Sequence, residues 1–380
     1  MNFSKKNHEH LKTNMDEVSK TKILVTAANG HTGFPAAKEL LNLGFDVRAM
    51  VRNHKSKTAL ELKELGAEIF IGDMNDVRDY RLALRDVQRA YFCSPFGKNT
   101  LFQTVAFVSA AEEAKLEHVV YITEWLGTQD HPAMNTKEHW LSKEVIKLHK
   151  TVNYTFVSPG LFEFINYFTI ETAAQLGLMP STIKGSATSN QVGLNPFPSD
   201  SDTGKVIAHI LKDPAKHTGK TYRPTGPKSL SPMDIAEVFG KILKRKVKVM
   251  EVSENMLLKS MKQMGFSMFD MANVKYYIQE LDKGAFDVNG VTTVVKDITG
   301  NDPEDFETMA RKALVNMPEA KKSFKNKLKA VSNFIAMLFT QLPKLDKYEA
   351  EQEFPQFKNG FNHVQENKEW LRTHENQPNK

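Results

Sequence analysis

The segment Ala27-x-x-Gly30-x-x-Gly33 is the first place where this chain can do chemistry. A phosphate-binding turn needs a backbone that can come close to an anion. It also needs a helix N-terminus that aims free N–H groups at that anion. Gly30 permits the close approach, and Gly33 permits tight packing of helix on strand. Ala27 stands where such turns usually begin with glycine. It can serve only with a negative φ or in a slightly altered turn. Asn29, His31 and Thr32 fill the positions between. An apolar run at residues 22–26 precedes the turn, and helical periodicity at residues 34–43 follows it. The alternative is a bare strand–helix turn in a fold that holds no nucleotide.

A second apolar strand, residues 45–51, ends at Arg52. An acidic residue here would bind a ribose 2′-hydroxyl, whereas an arginine can pair with a 2′-phosphate. Arg52, with Asn53 and Lys55 close behind, therefore argues for NADP(H) over NAD(H), against the alternative of a solvated charge after a strand. Asp73 and Met74 follow the third strand, residues 68–72. Asp73 can accept a hydrogen bond from an adenine amino group, or it can cap the next helix.

These residues need elements to position them. Strands are expected at residues 22–26, 45–51, 68–72, 89–93, 118–123 and 154–158. Helical segments at 34–43, 57–65, 77–84, 101–114 and 138–149 alternate with them. That alternation implies an α/β fold with a doubly wound parallel Rossmann sheet. The expected organisation is a polar tail at 1–20 and a nucleotide domain at 21–158. A smaller mixed α/β substrate-side domain would follow at 159–318, then a helical C-terminal extension at 319–380. Ser231 is the expected N-cap of a helix whose first position is Pro232.

The bulk properties narrow the function classes. Hydrophobic residues make up 41% and charged residues 25%, so the chain can bury a large core and stay in solution. No stretch of eighteen apolar residues occurs, and the first twenty residues contain no apolar leader segment. With one cysteine, Cys93, an intramolecular disulfide and a Cys-x-x-Cys zinc site are both excluded, and no metal is expected. Together these features point to the cytoplasm. The net charge of +6 suits anionic small ligands as well as nucleic acid, but no nucleic-acid-binding signature accompanies it.

TAANGHTG, VR after the second strand, and GDMND resemble the NmrA-like branch of the atypical short-chain dehydrogenases. The resemblance continues through HVVYITEWLG, HWLSK and YTFVSPGLF, then through TYRPTGPKSLSPMDIAEVFGKILKRKVKV and VTTVVKDITGNDPEDFETMARKAL. It implies an NADP(H)-binding Rossmann domain. Its members include NADPH-dependent reductases of quinones and related carbonyl compounds, and also cofactor-binding regulators with no confirmed turnover. Typical short-chain dehydrogenases carry Tyr-x-x-x-Lys on one helix face. Here the pair reads His139-x-x-x-Lys143, and Thr123 stands where the serine would be. The resemblance assigns Lys143 to the cofactor ribose. His139 can be a general acid or an exposed helix histidine. Pro159, Gly160 and Phe162 fall beside the nicotinamide in relatives. Phe162, Phe164 and Tyr167 can form an apolar wall there or pack as core, and Phe96 and Trp125 can line the same cleft. The expected activity is hydride transfer to a quinone or similar small molecule. The alternative is a redox sensor that acts through a protein partner.

Beyond the resemblance, residues 321–342 read as a helix. Phe324, Leu328, Val331, Ile335, Leu338 and Leu342 share one face, and five lysines fall in its first half. Such a face packs on its own domain or a second subunit, or lies on an anionic membrane surface. The remaining tail is expected to wrap the surface and end in disorder.

Overall fold

Short apolar strands that must be covered on both faces give the architecture its form. The computed structural model describes residues 21–355 and 363–374. The expected polar tail at 1–20, Phe357 and the last six residues lie outside the described residues. Strands β1 (Lys22–Val25), β2 (Asp46–Val51), β3 (Glu68–Ile71), β4 (Arg89–Phe92), β5 (His118–Ile122) and β6 (Asn153–Val157) alternate with helices. The helices are α1 (Gly33–Asn42), α2 (Lys57–Glu64), α3 (Val77–Ala83), α4 (Thr100–Ala114) and α5 (Met134–Ile146). Next come α6 (Ile170–Leu176), β7 (Leu178–Ser181), α7 (Asp200–Lys212) and β8 (Thr221–Tyr222). The main sheet has seven strands in the order β3-β2-β1-β4-β5-β6-β8, and every pairing is parallel. This is the expected doubly wound sheet.

Side chains alternate across the strands, so two cores form. Ile23 and Val25 join Ala36 and Leu40 of α1 and Ile207 and Ile210 of α7 on one face. Leu24, Met50, Tyr80, Phe107 and Tyr121 build the other. Arg48 is buried inside β2, where Glu68 pairs with its Nε at 2.8 Å and the carbonyls of Ala83 and Arg85 accept from its Nη1.

The chain does not leave this sheet at residue 158. Helix α7 packs on α1 so closely that a Cβ on Gly204 would lie 2.5 Å from Pro35 Cβ. Strand β8 extends the sheet beside β6. Periodicity shows which face of α7 is apolar, but it does not show which element covers that face.

The remaining elements are α8 (Pro232–Leu243), β9 (Lys248–Glu251), α9 (Glu254–Gln263), α10 (Met268–Asp282), α11 (Val294–Thr299) and α12 (Phe306–Leu314). They are followed by α13 (Phe324–Phe339), α14 (Leu345–Glu351) and α15 (Lys368–His374). β7 and β9 form a second, parallel pair. Ser231 caps α8 in a capping box with Asp234, as expected. Helix α5 starts at Met134, four residues before the expected start. The Asn273 side chain of α10 accepts the N–H of Asn135 at 2.9 Å, a tertiary cap that local sequence does not reveal.

One expectation about the C-terminal region fails, and one alternative of another falls away. Residues 371–374 belong to α15 rather than to a disordered end. Ala330 and Met337 of α13 are buried, while Phe324, Leu328, Val331, Ile335 and Leu338 of α13, and Leu342 beyond its end, stay exposed. The apolar stripe therefore does not pack on its own domain. No helix among the described residues is long and apolar enough to cross a membrane.

Candidate functional site

Parallel register brings the carboxyl ends of the strands to one edge. The segments after β1, β2, β3, β4, β5 and β6 therefore converge there, where ligands of such sheets bind. The turn after β1 is held by Ala28 N–H donating to Met50 O at 3.1 Å and Gly30 N–H donating to Ala27 O at 2.9 Å. The Thr32 and Tyr91 hydroxyls meet at 2.7 Å. Ala27 has φ +45°, so of the two alternatives, a negative φ or an altered turn, the negative φ falls away. The glycine-type turn is retained with alanine in left-handed backbone, a conformation that costs an L-residue about 1–2 kcal/mol. A Cβ on Gly33 would lie 2.3 Å from Ala27 O, and one on Gly30 would lie 3.1 Å from the same atom. The first turn of α1 leaves N–H groups without helical partners at this edge.

Arg52 and Asn53 are exposed just past β2. Arg52 makes no ion pair among the described residues. Asn53 Oδ1 accepts from Lys55 N–H at 2.9 Å, which shapes the loop. Asp73 is exposed, and its Oδ1 accepts from the backbone and side chain of Asn75. The N-cap of α3 is Asp76, so the capping alternative for Asp73 falls away. Met74 is buried among Met50, Tyr80 and Ala83, in the second core. The Asn29 carbonyl accepts from Thr58 Oγ1 at 3.5 Å.

His139 and Lys143 lie one turn apart on α5, and both are half-buried. The expectation of an exposed helix histidine is therefore not met. Burial pushes the His139 imidazole down to about 4, so it is neutral at pH 7. Burial, with Lys147 nearby, brings the Lys143 ammonium down to about 8. Lys143 Nζ sits 5.4 Å from the Phe156 ring centre. Lys143 also has α15 as a neighbour, since burial and the Lys143 charge both depress the His374 imidazole. Thr123 is buried, its N–H donates to Val157 O at 2.8 Å, and its Oγ1 has no hydrogen-bond partner. Pro159 is buried, and Gly160 turns the chain with φ +87°.

The aromatic residues divide into two groups. Phe96 is exposed, and Phe162 and Phe164 are half-buried and stacked at 5.9 Å. Phe164 also stacks on His31 of the glycine turn at 4.2 Å. Tyr167 is almost fully buried in a core with Phe239. Trp125 cannot line an open cleft, because it is 0% exposed. Its Nε1 donates to Ala285 O at 2.9 Å, and the Arg223 guanidinium covers its ring at 3.7 Å. The residue follows an apolar strand, and sequence position does not show that later segments cover it.

The sequence reading missed Glu163 and Asp200. His31 Nδ1 lies 2.6 Å from Asp200 Oδ2, and that carboxylate raises the imidazole pKa. Glu163 is buried with Oε2 unpartnered, and burial together with Asp200 raises its carboxyl to about 8. An acid between two phenylalanines was a visible signal for Glu163. Asp200, 169 residues from His31, offered none.

The raised Glu163 value makes stability depend on pH. Below the ordinary value of 4.5 the group is protonated in both folded and unfolded states. Above it the unfolded chain releases the proton while the folded chain keeps it up to about 8. Stability from this group is therefore lost as pH rises, at up to about 1.4 kcal/mol per pH unit. The urea midpoint is expected to fall between about pH 6 and about pH 8, and to fall less steeply in Glu163→Gln. An identical slope in the variant would remove Glu163 from this role.

The sheet order, the glycine turn at its carboxyl edge and the basic residue after β2 define a Rossmann-type fold. The chain belongs to the NmrA-like family, whose profile matches residues 19–310. It is 24% identical to an NAD(P)H azoreductase of Xenophilus azovorans, over 76% of this chain and 96% of that protein. Its fold is similar to an NADPH-dependent quinone oxidoreductase of Escherichia coli, QOR2, solved with NADPH. That likeness has a TM-score of 0.65 at 18% identity and covers 77% of this chain and 100% of the other. It is equally similar to NmrA, a negative transcriptional regulator solved with NADP, with a TM-score of 0.65 at 17% identity over 80% of this chain and 100% of that one.

Proposed function

We propose that this chain binds NADPH in preference to NADH and reduces a quinone or related carbonyl compound in the cytoplasm. The observation that carries the reading is the exposed Arg52 guanidinium, without a carboxylate partner among the described residues, at the same sheet edge as the glycine turn. The residues present fit a dinucleotide. Gly33 has no room for a Cβ, which holds α1 close to β1 and its N-terminus at the edge. When bound, the nicotinamide supplies the hydride.

The chain's own residues bind and orient. Gly30, Asn29, His31 and Thr32 surround the pyrophosphate position, and Arg52 with Asn53 holds the 2′-phosphate. Asp73 meets the adenine, with Met74 behind it. Lys143 grips the ribose, and Pro159, Gly160 and Phe162 border the nicotinamide. Phe96 and Phe164 offer flat apolar surface to the acceptor, with Tyr167 behind them. His139 is neutral at pH 7, so the acceptor's protons come from solvent rather than from an imidazolium.

Arg52→Glu tests this reading. Losing a charged hydrogen bond worth about 1.5–3 kcal/mol should weaken NADPH binding by about tenfold to a hundredfold. NADH binding should change little. Calorimetric titration with both cofactors measures it, and equal losses for the two would reject the role of Arg52. The depressed His139 and the packed end of β5 also favour a second reading, a redox sensor that reads NADPH against NADP and signals to a protein partner. NADPH consumption with a panel of quinones and aldehydes separates the two.

A further inference from the structure

Helix α13 lies beyond the part of the chain that matches the family, and one of its faces is unused. Phe324 is 79% exposed and Phe339 84%, with Leu328, Val331, Ile335 and Leu338 exposed between them. At 100° per residue these side chains form one stripe, and Lys325 and Lys327 flank it on opposite sides. The opposite face, with Ala330 and Met337, closes an apolar cavity of about 540 Å³ that Met179, Met250 and Met256 also line. The helix is therefore anchored from behind and open in front.

We propose that α13 seats this protein on an anionic lipid surface, with the stripe facing the acyl chains and the lysines meeting the headgroups. Charge complementarity selects this occupant over a second copy of the chain. The sixteen residues of α13 include no acidic residue. Lys325 and Lys327 meet no carboxylate among the described residues, and only Lys329 is paired, with Glu171 at 3.6 Å. Two such helices face to face would supply no carboxylates to the lysines. At the other end, Lys259 and Lys262 of α9 donate to the carbonyls of Leu338 and Gln341, which adds positive charge beside the stripe. Sixteen residues are too short to span a bilayer, so the helix lies in the interface. The cavity behind it would then stand close to the lipid.

The full chain should co-sediment with phosphatidylcholine vesicles that contain phosphatidylserine, and much less with pure phosphatidylcholine vesicles. Lys325→Gln and Lys327→Gln should each weaken binding about fivefold. Leu328→Glu with Ile335→Glu should abolish it and leave the melting temperature unchanged, because both sites are exposed. Light scattering should show the same mass for the wild type and the double variant. Failure to bind phosphatidylserine vesicles, or a wild-type dimer that the glutamates dissociate, would overturn the proposal.

Discussion

Gly33→Val is expected to abolish NADPH binding and to lower stability by about 1–3 kcal/mol, as overpacking does. A Cβ at this position would meet Ala27 O at 2.3 Å, Ala27 C at 2.9 Å and Ala28 Cα at 3.0 Å. All three are backbone atoms, so no side chain can swing away. Either α1 must lift off β1 or the turn must open. Both movements carry the N-terminus of α1 away from the sheet edge, where its free N–H groups are positioned to meet a bound phosphate in the proposed site. Calorimetric titration and urea denaturation read the two effects separately. Gly97→Ala is the control, since its Cβ would find nothing nearer than Pro95 O at 3.9 Å. A Gly33→Val chain that takes up NADPH like the wild type would remove this turn from cofactor binding.

Trp370→Ala should cost about 3–5 kcal/mol, the range for deleting a buried large aromatic side chain. Trp370 is 2% exposed, and its Nε1 donates to Trp125 O at 3.0 Å. His374 stacks on its indole at 4.3 Å, and Trp125 meets it edge-on at 5.8 Å. Removing the indole leaves a void among these rings and an unsatisfied carbonyl in the segment after β5. That segment leads into α5, which carries His139 and Lys143. Denaturant titration measures the loss. Limited proteolysis should then cut within Lys368–His374 faster than in the wild type. Stability within about 0.5 kcal/mol of the wild type, the range of a neutral surface change, would sink this account.

The first six strands and their helices were legible because each pattern is local. KILV reads as a buried strand wherever it lies, and Ser231 before Pro232 reads as a helix start. The glycine turn and Arg52 were legible for the same reason, since a turn and a strand end are set by neighbours in the chain. Trp125 was not. Its partners, Arg223, Ala285 and Trp370, come from elements up to 245 residues away. The contact between His31 and Asp200 was hidden in the same way.

Backbone periodicity, capping and turn chemistry act over a few residues. The amino-acid order alone therefore determined a doubly wound α/β sheet, a glycine turn at its opening strand and an arginine after the second strand. Burial is a property of the whole packed chain, so only the tertiary structure decided the other points. It decided that His139 is neutral, that Glu163 keeps its proton to about pH 8, that Trp125 is sealed, and that the stripe on α13 remains bare. The physical reason is that desolvation depends on which distant surfaces meet, and no local spacing carries that information.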